Sequence, residues 1–119
     1  MAVNLLLIDA LSEAVARFEG FYTAKSVSRL NRNPGNLRKW EGFPSVKGYA
    51  RFPDYKTGWE KLRKLLTEWV EEGMSARSLI ARYAPAADKN KPEEYAAFVV
   101  HFLELRGIDI TLDKVLKEI

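Results

Sequence analysis

Apolar residues recur every three or four positions in three long stretches of the chain, and a glycine closes each stretch. In the first, Ile8, Leu11, Val15, Phe18 and Tyr22 share one face at about 100° per residue. The spacing predicts a helix from near Leu5 to about Phe21, with Gly20 suggesting its end. In the second, Trp59, Leu62, Leu65, Leu66, Trp69 and Val70 form an amphipathic stripe, which predicts a helix from near Asp54 to Gly73. Ser75 then reads as the N-cap of a shorter helix bearing Leu79, Ile80 and Tyr83, stopped by Pro85. Asp88 to Lys91 form a polar loop. A third long helix opens around Pro92, where proline lacks only an N–H that no partner awaits, and Glu93 and Glu94 suit the positive end of the helix dipole. Tyr95, Phe98, Val99, Phe102 and Leu103 form its buried side, and Gly107 is its stop. Thr111 is placed to cap a last short helix with Leu112, Val115, Leu116 and Ile119.

Between the first two long helices the pattern breaks. Asn31, Asn33-Pro34-Gly35-Asn36, Glu41-Gly42, Pro44 and Gly48 are too rich in turn formers for a long helix. Asn36 to Trp40 and Lys47 to Phe52 alternate or carry aromatics, which predicts a small hairpin. The expected fold is mainly helical, one domain over residues 1–119, with a small β-hairpin between the first and second long helices and no internal repeat. Trp59 and Trp69 lie at core spacing. Trp40, in the hairpin region, is freer to face a sugar or a base.

Composition narrows the chemistry. With 119 residues, 47% apolar and 29% charged, the chain has room for one hydrophobic core and is not of the disordered class. It contains no cysteine, so disulfides and thiolate metal sites are excluded, and its single histidine, His101, rules out a histidine-rich metal site. His101 sits in an apolar helical run and reads as a structural histidine. The opening Asn4 to Ile8 is apolar but short, lacks preceding basic residues, and is cut by Asp9, so it does not resemble a secretory leader. No run approaches the roughly 20 apolar residues of a membrane span. The expectation is synthesis in the cytoplasm, with some other means of reaching a target beyond the membrane.

The net charge of +3 is unevenly distributed: Lys25, Arg29, Arg32, Arg38, Lys39, Lys47 and Arg51 face only Glu41 across one segment. That segment is either a surface for an anionic polymer, nucleic acid or carboxylate-bearing cell-wall glycan, or a solvated basic loop.

Glu19 is the residue that departs most from its surroundings, because it falls among Val15, Phe18 and Tyr22 on the apolar face. A carboxyl held there loses hydration, which disfavours its charge and raises its pKa from roughly 4.3 toward neutrality. That is the property of a general acid. Alternatively, Glu19 lies at a fraying helix end beside Gly20 and turns into water. An inverting glycosidase would need a second carboxylate about 6.5 to 9.5 Å away. Glu41 and Asp54 flank the hairpin and are the candidates, although Asp54 is also suited to cap the second long helix.

Four motifs in order, Phe18-Glu19-Gly20-Phe21, Asn33-Pro34-Gly35-Asn36-Leu37-Arg38, Gly48-Tyr49-Ala50-Arg51-Phe52 and Arg82-Tyr83-Ala84-Pro85, resemble the small lytic-transglycosylase-like proteins of phage particles and prophages. The resemblance spans about Leu11 to Asp109. It implies a lysozyme-like domain that cleaves the MurNAc–GlcNAc bond of peptidoglycan without metal or cofactor, with Glu19 as the single catalytic acid and base. The substrate's own N-acetyl group or C6 hydroxyl would supply the remaining chemistry. Tyr83, Asn90 and Tyr95 lie where the family carries its later tyrosine-containing motifs, and either tyrosine hydroxyl could orient the acid. Asn36 and Arg38 could present an amide and a guanidinium to the glycan or its peptide stem, and Tyr22 or Trp40 could wall the cleft. The chain departs from the typical pattern in having Gly20 where serine follows the acid, in lacking a Gly-Leu-Met-Gln stretch, and in its weak counterpart to Ala-Tyr-Asn-Ala-Gly. Three functions therefore stand: a peptidoglycan-cleaving enzyme of the virion or prophage, a non-enzymatic structural or glycan-binding virion protein on the same fold, and a small helical nucleic-acid binder. The last matches no helix-turn-helix or zinc-finger signature. Expected partners are glycan strands and other virion proteins.

Overall fold

The computed structural model describes residues 3–84 and 90–119, which form five α-helices and one two-stranded antiparallel hairpin. Helix α1 (Leu5–Phe18) starts where the Asn4 side chain accepts the N–H groups of Leu6 and Leu7. It ends in a Schellman turn: Gly20 takes φ +82°, its N–H bonds to the Arg17 carbonyl and the Phe21 N–H to that of Ala16. A short helix α2 (Val27–Leu30), capped by Ser26, follows and had no periodic signal in the sequence. Strands β1 (Ser45–Val46) and β2 (Tyr49–Ala50) pair Ser45 with Ala50 and Val46 with Tyr49. Their two-residue turn, Lys47 and Gly48, has positive φ at both positions, the type I′ geometry whose twist matches a hairpin.

Helix α3 (Tyr55–Glu71) is capped by Asp54, whose carboxylate accepts the Thr57 N–H at 2.7 Å. Helix α4 (Ala76–Tyr83) opens in a reciprocal capping box between Ser75 and Ser78. Helix α5 (Pro92–Leu105) begins at its proline and stops before Gly107. Pro85 and the first part of the expected polar loop lie outside the described residues. Among the described residues, no helix is long and apolar enough to cross a membrane.

One core holds the helices together. Leu7, Leu11 and Val15 of α1, Leu62, Leu66 and Val70 of α3, Leu79 and Ile80 of α4, and Tyr95, Val99 and Leu103 of α5 meet in it, all essentially inaccessible to solvent. The C-terminal segment closes one side through Leu116 and is tied to the α3–α4 connection by Leu116 N–H to Met74 O and Arg77 N–H to Leu112 O. A smaller cluster of Leu37, Ala50 and Phe52 lies under the hairpin, and Tyr83 packs against both. The candidate site forms at this seam.

Several expectations are corrected. Phe18 and Tyr22 are substantially exposed rather than core residues, because α1 ends at Phe18 and the Schellman turn swings the chain away. Residues 36–40 form no strand; the first strand is Ser45–Val46, and Leu37 instead meets β2 through one backbone bond from Ala50 N–H to Leu37 O. Thr111 caps nothing helical: the C-terminal segment forms only a 3-10 turn at Leu116–Glu118, preceded by an isolated bridge between Ser75 and Val115. His101 is exposed on the outer face of α5. Its neighbours Val100 and Phe102 are half-buried against the core, but it is not.

Candidate active site

Glu19 is the C-cap of α1, so its side chain leaves the helix at its negative end, where a second charge of that sign is disfavoured. It does not turn into water. Burial is the dominant influence on its carboxyl and raises its pKa above 4.5. Hydrogen bonds from Tyr95 and Asn36 and the charge of Arg38 act in the opposite direction and only partly offset it. The Tyr95 hydroxyl, on α5, donates to Glu19 Oε2 at 2.8 Å. Tyr95 is 1% exposed, and the Phe18 ring stacks on it with centroids 3.8 Å apart. Tyr83 meets Tyr95 edge to face at 6.4 Å, and Trp69 meets Tyr83 at 6.1 Å. A run of four aromatic rings thus backs the acid. Both tyrosine hydroxyls have pKa values raised well above 10, first by burial and then by neighbouring groups including Glu19, so each stays a proton donor.

The opposite wall is the turn at residues 33–37, held by a buried clamp. Asn33 is fully buried; its amide donates to the carbonyls of Leu37 (2.9 Å) and Ala50 (2.8 Å), and its Oδ1 accepts the Leu37 N–H (2.9 Å). This joins the turn to β2. Gly35 is required for close approach: a Cβ there would lie 2.6 Å from Leu62 Cδ1 and would strike the Tyr83 hydroxyl, which donates to the Gly35 carbonyl. Asn36 then adopts φ +49°, a left-handed conformation that asparagine tolerates better than most residues. The result is an amide aimed at Glu19. Its Oδ1 is buried and has no hydrogen-bond partner among the described residues.

Glu19, Asn36, Arg38, Tyr49, Tyr83, Ala84 and Asn90 line a recess of about 50 Å³. That is room for a few water molecules and not for a sugar ring. Of the residues expected at the site, the fold brings together Glu19, Asn36, Arg38, Tyr83 and Asn90 at the recess, with Tyr95 bonded to the acid from behind. Tyr22 is elsewhere: its hydroxyl bonds both carboxylate oxygens of Glu13, at 2.9 and 2.8 Å, and Arg17 covers its ring. Its pKa is pushed up to about 12, by burial first and then by Glu13. Trp40 packs on the cluster under the hairpin, with the Lys61 ammonium 5.6 Å from its ring, and does not line the recess. Neither Glu41 nor Asp54 lines it, and Asp54 is occupied as the cap of α3. Its carboxyl is held below the usual range by its hydrogen bond from the Thr57 backbone.

Tyr49 was missed. It belongs to the Gly48-Tyr49-Ala50-Arg51-Phe52 motif, and the alternation of a strand places it on the face opposite the buried Ala50, where Arg38 lies 5.2 Å from its ring. Among the described residues, no group of three or more histidine, aspartate or glutamate side chains could hold a metal ion. Chemically, the recess offers one carboxylic acid kept from ionising easily, hydroxyl and amide donors that fix its orientation, and a guanidinium at the rim. Comparison with known proteins adds nothing to this geometry: no family model matches the chain, and neither a curated protein nor a solved structure matches it significantly.

Proposed function

We propose that this chain is a peptidoglycan-cleaving glycosidase of the lytic transglycosylase or lysozyme type, built on a lysozyme-like helical fold and carried as a phage virion or prophage component. The observation that carries the reading is the Glu19 carboxyl, desolvated beside a recess and oriented by Tyr95 and Asn36. In its protonated form, Glu19 gives its proton to the glycosidic oxygen as the bond from that oxygen to C1 breaks. The oxygen of the substrate's N-acetyl group or C6 hydroxyl attacks C1. The Glu19 carboxylate then takes the proton of the C6 hydroxyl, leaving a 1,6-anhydro ring, or that of a water molecule, leaving a reducing end. Arg38 favours the carboxylate formed midway. Because the recess is narrow, the glycan lies across its mouth and presents only the scissile oxygen, with Tyr49 and Asn90 at the rim.

The same narrowness favours a second reading, a structural or glycan-binding virion protein without cleavage. The nucleic-acid reading has less support, because the basic segment forms no continuous helix face: Arg29 stacks on Phe21 and Tyr55, Arg38 joins the recess and Arg51 bonds Asn31. Incubating purified sacculi with wild-type protein and Glu19→Gln, followed by mass spectrometry of the released muropeptides, separates these. The enzyme reading expects release by wild type and a loss of about 10²-fold or more in the variant. Anhydro-terminated products mark a transglycosylase and reducing ends a hydrolase. A folded wild-type protein that binds sacculi and releases nothing supports the second reading and overturns the first.

A further inference from the structure

A second recess, of about 350 Å³ and open to solvent, is lined by Arg32, Phe43, Pro44, Arg51, Phe52 and Pro53 and shares no residue with the one at Glu19. The half-buried Phe43 ring and the exposed Pro44 and Pro53 form its apolar surface, with the fully buried Phe52 ring behind Phe43, edge to face at 5.0 Å; the charged groups among its described lining residues are the two guanidinium ions. Both arginines are placed by specific devices. Arg51 Nε donates at 3.1 Å to Oδ1 of Asn31, which is almost fully buried and whose amide is anchored on the Val46 carbonyl, and the Arg51 N–H bonds to Pro44 O. Arg32 adopts φ +51°, a left-handed conformation unfavourable for an L-residue, with its carbonyl packed where Gly58 leaves no space for a Cβ. Strain of this kind persists where the surrounding structure enforces it.

Neither arginine is ion-paired among the described residues. Asp54 feels the charge of Arg32 but directs its carboxylate to the Thr57 N–H. Two like charges beside one apolar recess repel each other, and an anion between them relieves that repulsion. The guanidinium fork matches a planar carboxylate, and the apolar surface of Phe43, Pro44 and Pro53 matches a hydrocarbon group attached to it. Inorganic phosphate would leave that apolar surface uncovered. The surrounding excess of basic residues draws anions of either kind toward this face.

We propose that this recess binds the free carboxylate end of a peptide whose last side chain is apolar, gripped by Arg32 and Arg51 and covered by Phe43, Pro44 and Pro53. The site is independent of the chemistry proposed at Glu19. Its test is NMR titration of the full chain, following the Arg32 and Arg51 Nε–H signals and the ring protons of Phe43. The probes are N-acetyl-alanyl-alanine, its C-terminal amide, inorganic phosphate and a single-stranded oligonucleotide. The acid should bind saturably and at least about tenfold more tightly than the amide, the loss expected when a charge-assisted hydrogen bond is removed. Arg32→Gln and Arg51→Gln should each weaken it by a similar factor. Equal binding of acid and amide overturns the proposal, as does an equal response to phosphate or to the oligonucleotide. Should Arg51→Gln fail to fold after losing its bond to Asn31, Arg32→Gln decides: a folded Arg32→Gln protein that binds the acid like wild type also overturns it.

Discussion

Replacing Gly35 with alanine should damage the fold and the candidate site together. The added methyl would sit 2.6 Å from Leu62 Cδ1 and against the Tyr83 hydroxyl, both far inside contact distance. Leu62 is completely buried in the main core and has nowhere to withdraw. Tyr83 can withdraw only by breaking its bond to the Gly35 carbonyl. Gly35 does not have positive φ, so the cost is steric and not conformational. Overpacking a tight site costs about 1–3 kcal/mol and a lost hydrogen bond about 0.5–1.5, so the sum is about 2–4 kcal/mol. For a domain of this size that lowers Tm by roughly 10 °C. Thermal melting followed by circular dichroism measures it. Gly20→Ala is the comparison: its methyl meets nothing within 4 Å, and only its φ of +82° is penalised, at about 1 kcal/mol. A Gly35→Ala protein within about 0.5 kcal/mol of wild type would refute the claim that this turn is wedged between Leu62 and Tyr83.

Three further perturbations read the same region. Glu19→Gln should stabilise the protein at neutral pH: the raised pKa means that the folded state holds the Glu19 proton more tightly than the unfolded chain, so wild-type stability declines as pH rises from 4.5 through the folded value, and glutamine avoids this. The variant's advantage in denaturant midpoint should shrink on acidification and its titration-dependent part vanish below 4.5. Tyr95→Phe keeps the stack on Phe18 but removes the 2.8 Å bond to Glu19, so it should cost about 1–2 kcal/mol in urea unfolding and move the Glu19 titration further upward. Asn33→Asp sets a carboxylate oxygen where the amide now serves two carbonyls; unfolding experiments should show a loss of about 3 kcal/mol or more, greater at neutral pH than near pH 3.

Periodicity predicted the three long helices because each buries a stripe in one shared core, and the caps at Asp54 and Ser75 are local chemistry that needs no distant partner. Glu19 stood out as an acid on an apolar face, but two of the neighbours that marked it, Phe18 and Tyr22, are exposed, and its hydrogen-bond partners Tyr95 and Asn36 come from distant segments. The hairpin register was not legible. Residues 36–40 alternate like a strand, yet the Leu37 N–H and carbonyl are both held by the Asn33 side chain, and side-chain clamps of this sort leave no period in the sequence. Tyr22 was misplaced because the Schellman turn at Gly20 ends the 100° rule three residues earlier than the apolar pattern suggests. Tyr95 and Tyr83 share the site only because α5 packs against both α1 and α4, a relation set by the tertiary fold.

Glu19 keeps its proton to a higher pH than an ordinary glutamate, and carboxyl ¹³C NMR titration measures that property on the side chain itself. With Glu19→Gln used to assign its signal, one carboxyl resonance should titrate with a midpoint above 4.5 and disappear in the variant. A Glu19 midpoint at or below 4.5 would contradict it.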